Sequence, residues 1–189
     1  MAQPIVDEST GWKPVPRRLS YLTVITENKM NIFDYAMQME TESQNYYRNL
    51  AEHAANEGLK TIFNMLADEE TKHYGFVEKM KMKKADKIPD TTILPDAKAV
   101  FQRMAHSENF DFKDEQLELY KKAQDIESKS KEFYLHKIDE VEEKAEKKAF
   151  NLLAKQEEKH YWLLQNIIDF VSRPQFWLEN AEWYHLDEF

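Results

Sequence analysis

The sequence contains no cysteine. Disulfides, zinc–thiolate sites, cysteine nucleophiles and cysteine-held iron are therefore excluded in this chain. Glycine is nearly as scarce, with three residues, and proline occurs six times in 189. A β-rich chain of this length needs more turn formers than that. No run of 18 apolar residues is present, so no membrane-spanning helix is expected. Positive charge is in deficit: 26 Lys and Arg stand against 35 Asp and Glu, for a net charge of −9. That balance argues against a nucleic-acid partner held through its phosphates. Residues 1–20 lack the apolar core of a secretory leader, so a cytoplasmic location is expected.

What is present favours helices. Long stretches are rich in Ala, Leu, Met, Glu, Lys and Gln, all strong helix formers. The length suffices for one domain with one core. Residues 1–29, with Pro4, Pro14 and Pro16, read as an extended arm. A first helix is expected from about Asn31 to a stop at Gly58, and a second from about Leu59 to Lys84. Pro89 and Pro95 then break the chain, and residues 85–112 form a long crossover with a short helix near 96–105. A third helix follows from Asp114, as its N-cap, to about Glu143. A fourth spans about 145–172 and ends at Arg173-Pro174. Residues 173–189 form an aromatic, acidic tail. It is expected as a short amphipathic helix packed on the bundle or on a second subunit of a homodimer. The fold class is thus all-α: a four-helix bundle of two hairpins, residues 30–172, joined by one long connection.

The two hairpins are copies of each other. "FNMLADEETKHY" at 63–74 and "FNLLAKQEEKHY" at 150–161 align at an offset of 87 residues. The same offset pairs Ala36 with Ala123, Glu40 with Glu127, Ser43 with Ser130 and Tyr47 with Tyr134. Four of the repeated residues are glutamates set in apolar stripes. Glu70 follows Phe63 and Leu66 and precedes Val77, while Glu157 follows Phe150 and Leu153 and precedes Leu164. Glu40 and Glu127 each have Ala at −4, an aromatic at −7 and Tyr at +7. A lone buried carboxylate costs several kcal/mol, on the order of 3–5, and no Lys or Arg shares those faces. Divalent cations would compensate: four carboxylates neutralise two of them. His73 and His160, each three residues after a Glu, add neutral nitrogen ligands one helical turn away. A Glu from each of two helices plus Glu-x-x-His from each of the other two is the ligand pattern of ferritin-like dinuclear carboxylate bundles. This donor set suits iron or manganese, with zinc as another occupant.

Other polar residues are placed elsewhere. His53 lies about 220° around its helix from Glu40 and His136 opposite Glu127, both towards solvent. His106 and His185 have no evident partners. Glu42 and Asp125 face away, and Glu69 and Glu158 are expected to be solvated. Tyr47 and Tyr134 are either core aromatics or donors to a ligand carboxylate. The methionines are core filler.

At these residues the chain resembles the rubrerythrin family of the ferritin-like superfamily. "METESQNYYRNLA" is similar to the family's first-helix Glu-x6-Tyr-x3-Ala motif, "EETKH" and "QEEKH" to its two Glu-x-x-His helices, and "IESKSKEFY" to its third-helix motif. The resemblance implies two irons bridged by Glu70 and Glu157, with Glu40, His73, Glu127 and His160 as terminal ligands. It implies reduction of hydrogen peroxide, or of dioxygen, by electrons from an external protein such as a rubredoxin or a flavoprotein. Without cysteine, this chain cannot carry the rubredoxin domain that many relatives have. Gln124 stands where the family typically has an extra Glu, which leaves a more symmetric site, closer to a ferroxidase centre. Three readings follow: a peroxidase, a ferroxidase or iron-handling protein, and a helical scaffold that binds metal without turnover or no longer binds it.

Overall fold

Helix α1 (Ile32–Glu52) opens at Asn31, whose side chain accepts a hydrogen bond from the Phe33 amide at 2.8 Å. It does so in a computed structural model that describes residues 31–84, 90–104, 112 and 114–174. The expected N-terminal arm and aromatic tail lie outside the described residues. Helix α2 (Glu57–Lys81) opens the same way at Asn56, which accepts from the Leu59 amide at 2.9 Å. Helix α3 (Ile93–Met104) lies in the crossover, and α4 (Asp114–Glu140) and α5 (Lys144–Ser172) form the second hairpin. Among the described residues all regular structure is helical, so the all-α class expected from composition holds. No helix among them is long and apolar enough to cross a membrane.

Two boundaries differ from expectation. Gly58 does not stop α1. It sits in the first turn of α2, because Glu52-His53 ends α1 and Asn56 caps the next helix. Its missing side chain has a different use: a Cβ there would clash with Met104 Sδ. Pro95 does not break the crossover helix but lies in its first turn, where its absent N–H has no helical partner to lose.

The hairpins α1/α2 and α4/α5 pack within themselves, α1 packs on α4 and α2 on α5, and α3 lies across α2 and α5. Two apolar cores fill the bundle. One holds Tyr47, Leu50, Leu59, Phe63, Leu66, Leu163 and Phe170, with Val100 and Phe101 of α3. The other holds Ala36, Val77, Met80, Tyr134, Phe150 and Leu153. The 87-residue offset exchanges them, carrying Phe63 and Tyr47 of the first onto Phe150 and Tyr134 of the second. The described part of the crossover covers only the first.

Candidate metal centre

Between the two cores lies a layer of buried polar groups. Glu40 on α1, Glu70 and His73 on α2, Glu127 on α4, and Glu157 and His160 on α5 are each at most 1 % exposed. The helical periodicity that placed them on apolar faces brings all six together. His73 Nδ1 lies 3.0 Å from Glu157, 3.6 Å from Glu40 and 3.6 Å from Glu70. His160 Nδ1 repeats this at 3.1 Å from Glu70, 3.7 Å from Glu127 and 3.8 Å from Glu157. The layer thus has near two-fold symmetry. Residue numbers rise along one helix as they fall along its neighbour across the layer, so α1 runs antiparallel to α4, and α2 to α5.

The two tyrosines reach across the bundle. Tyr47 of α1 donates its hydroxyl hydrogen to Glu127 Oε1, and Tyr134 of α4 donates to Glu40 Oε1. Burial, reinforced by the carboxylate each faces, pushes both phenols well above their ordinary range, so they remain donors.

The carboxylates and imidazoles are poorly satisfied by one another. Both oxygens of Glu70 and of Glu157, Oε2 of Glu40 and of Glu127, and Nδ1 of both histidines have no hydrogen-bond partner despite complete burial. An orphaned buried polar atom is costly. Here the orphans face each other as two sets: Glu40, Glu70, His73 and Glu157, and Glu70, Glu127, Glu157 and His160. In each set the ligand atoms lie within 4.8 Å of one another. Glu70 and Glu157 belong to both. Two divalent ions sharing those two carboxylates fit this donor set in charge and in number of ligand atoms.

Without metal, protons must neutralise the layer. Burial pushes Glu40 up to about 8 and, with Glu70 adjacent, holds Glu157 well above the usual carboxylate range. For Glu70 burial also acts upward, but His160 and His73 outweigh it and hold the group below that range. Burial alone would lower the imidazoles. Instead Glu157 holds His73 well above its ordinary value, and Glu127 with Glu70 raises His160 to about 9. Among the described residues no lysine or arginine joins them: Lys137 is buried, but its ammonium binds Glu140 at 2.6 Å.

Of the residues set aside in the sequence, His53, His136, Glu42 and Asp125 are exposed. His106 and His185 lie outside the described residues. Glu158 is partly buried and pairs with Lys131 at 2.5 Å. Glu69 contradicts expectation. It is 6 % exposed, held by Lys72 at 2.5 Å and by the Thr91 side chain. Gln156, unremarked in the sequence, accepts from His73 Nε2 at 2.8 Å. The signal for both was the offset of 87, which pairs Glu69 with Gln156. Gln124 lies between α4 and α5, where its amide donates to Gln165 Oε1 at 2.9 Å and to the Tyr161 carbonyl at 3.4 Å.

Residues 31–168 match the family model described as Rubrerythrin. No curated protein and no solved structure matches the chain.

Proposed function

Because the chain belongs to the rubrerythrin family of ferritin-like helical bundles, we propose that it is a di-iron oxidoreductase that reduces hydrogen peroxide with electrons from another protein. The observation that carries this reading is the division of the orphaned atoms. Glu70 and Glu157 each leave two oxygens free, as bridging carboxylates require, whereas Glu40 and Glu127 each leave one, as terminal ligands require. His73 and His160 complete the set through Nδ1. Mixed carboxylate–imidazole ligation favours iron or manganese, with zinc as a substitute.

Glu40, Glu70, His73, Glu127, Glu157 and His160 would hold two ferrous ions, which would supply the two electrons that, with two protons, convert one peroxide to two waters. The chain's own residues do the rest. Tyr47 and Tyr134 donate to Oε1 of Glu127 and of Glu40, leave Oε2 of each free, and hold each carboxylate in one orientation. The apolar cores on either side exclude water from the layer. With no cysteine in the chain, re-reduction falls to a separate donor, a rubredoxin or a flavoprotein. The decisive experiment is anaerobic stopped-flow of the reduced, iron-loaded chain. The proposal expects faster oxidation by peroxide than by dioxygen, and a rate no faster with peroxide would contradict it.

One observation favours a second reading. Gln124 is engaged by Gln165 and the Tyr161 carbonyl, so the layer keeps its near-symmetric four glutamates and two histidines. Such a site also suits a ferroxidase, which would oxidise Fe(II) and pass it on. Catalytic turnover of added Fe(II) beyond two ions per chain would support this alternative over the peroxidase.

A further inference from the structure

The two halves of the layer match at every ligand position, but the residues behind the two imidazoles differ. His73 Nε2 donates to the amide oxygen of Gln156 at 2.8 Å, inside the bundle where Gln156 is 4 % exposed. The duplication places Glu69 where it would stand in the same relation to His160. A carboxylate oxygen of Glu69 lies within 4.8 Å of a ring nitrogen of His160, and also of one of His73. His160 Nε2 is buried and makes no hydrogen bond. Glu69 is itself buried and tied from two directions, by Lys72 on its own helix and by Thr91 at the start of α3. The repeated lysine shows the same break in symmetry. Lys72 binds Glu69, but its counterpart Lys159, with an amide in place of that carboxylate, pairs with Asp90 at 3.1 Å.

A histidine that ligates a metal through Nδ1 donates its Nε2 hydrogen to a fixed acceptor. That acceptor sets the ring's orientation and its strength as a ligand, and a carboxylate strengthens it more than an amide does. We propose that Glu69 is the acceptor for His160, so that the position built on Glu127 and His160 binds a divalent ion first and more tightly than the one built on Glu40 and His73. Glu69 is thereby a positioning residue. The inference rests on the dinuclear reading above but adds an order of filling that the ligand set alone does not imply.

The test is an anaerobic titration of the metal-free full-length chain with Co(II), followed by calorimetry and by the visible absorption of the bound ion. The wild type is expected to fill in two steps separated by about tenfold or more in Kd, the range over which such acceptors act. Glu69→Gln keeps an acceptor but removes its charge, and should weaken the first step until the two merge. Gln156→Glu supplies the missing charge behind His73 and should merge them by tightening the second. The cobalt spectrum that the wild type develops in its first step should be the one altered in Glu69→Gln, and that of its second step the one altered in Gln156→Glu, which a merely structural role would not produce. A single step in the wild type overturns the proposal. So does a two-step titration that survives Glu69→Gln, because repulsion between the two ions would then explain it. Absence of any cobalt binding by a folded chain overturns the dinuclear reading itself, and this inference with it.

Discussion

At the scale of single residues, the six proposed ligands were legible because each lies on an apolar helix face and recurs at one offset. A carboxylate in such a stripe has few reasons to be there. Replacing Glu70 by Gln removes one charge at nearly constant volume. It is expected to lower metal stoichiometry below two ions per chain and to destabilise the metal-free fold, since His73 and His160 lose the carboxylate that they hold ionised. Elemental analysis after loading, paired with thermal unfolding of the metal-free variant, checks both halves of that expectation. Unchanged stoichiometry would remove Glu70 from the ligand set. Glu69 was misjudged because adjacency to Glu70 puts it about 100° away around the helix, a direction that is solvated on a helix with one buried face. Helix α2 has more than one: it packs on α1, α3 and α5. Thr91, which closes over Glu69, is 22 residues away in sequence, and no local pattern encodes that meeting.

At the scale of elements, helix periodicity located the four bundle helices, and the crossover helix was found to within a few residues. The ends were less legible because glycine does not mark them here. Helix α2 ends with Lys83 in the left-handed region, at φ 53°. The Lys83 amide donates to the Met80 carbonyl and the Lys84 amide to that of Lys79, a Schellman arrangement in which glycine is the usual occupant. Gly58 instead gives Met104 of α3 room against α2. Overpacking in Gly58→Ala is therefore expected to cost about 1–3 kcal/mol, offset by alanine's higher helix propensity of about 1 kcal/mol, for a net loss of up to about 2 kcal/mol. Met104→Ala in the same chain should recover part of that loss. Chemical denaturation of the four members of this double-mutant cycle measures the coupling. Additive effects would mean that the crossover helix does not rest on Gly58.

At the scale of the whole molecule, the duplicated hairpins bury a layer that must be neutralised by protons or by metal. Between the ordinary carboxylate value of 4.5 and about 8, folded Glu40 holds a proton that the unfolded chain releases, and His160 does the same between 6.5 and about 9. The folded state binds more protons over this window, so metal-free stability falls as pH rises through it, by about 1 kcal/mol or more per pH unit. Glu70 is shifted the other way, and its contribution is already complete above about 4.5. Metal competes with those same protons, so a Mn(II)-loaded chain should hold or gain stability over the same range. Melting temperatures at about pH 6 and 8.5, with and without Mn(II) under anaerobic conditions, would show the two trends diverging, whereas parallel trends would mean that the layer does not exchange protons for metal. The central claim is that the two hairpins build one dinuclear centre. Mössbauer spectroscopy of the chain loaded anaerobically with iron-57 and then oxidised tests it most directly. The account predicts two irons per chain in one magnetically coupled pair; a single isolated iron, or two uncoupled ones, would contradict it.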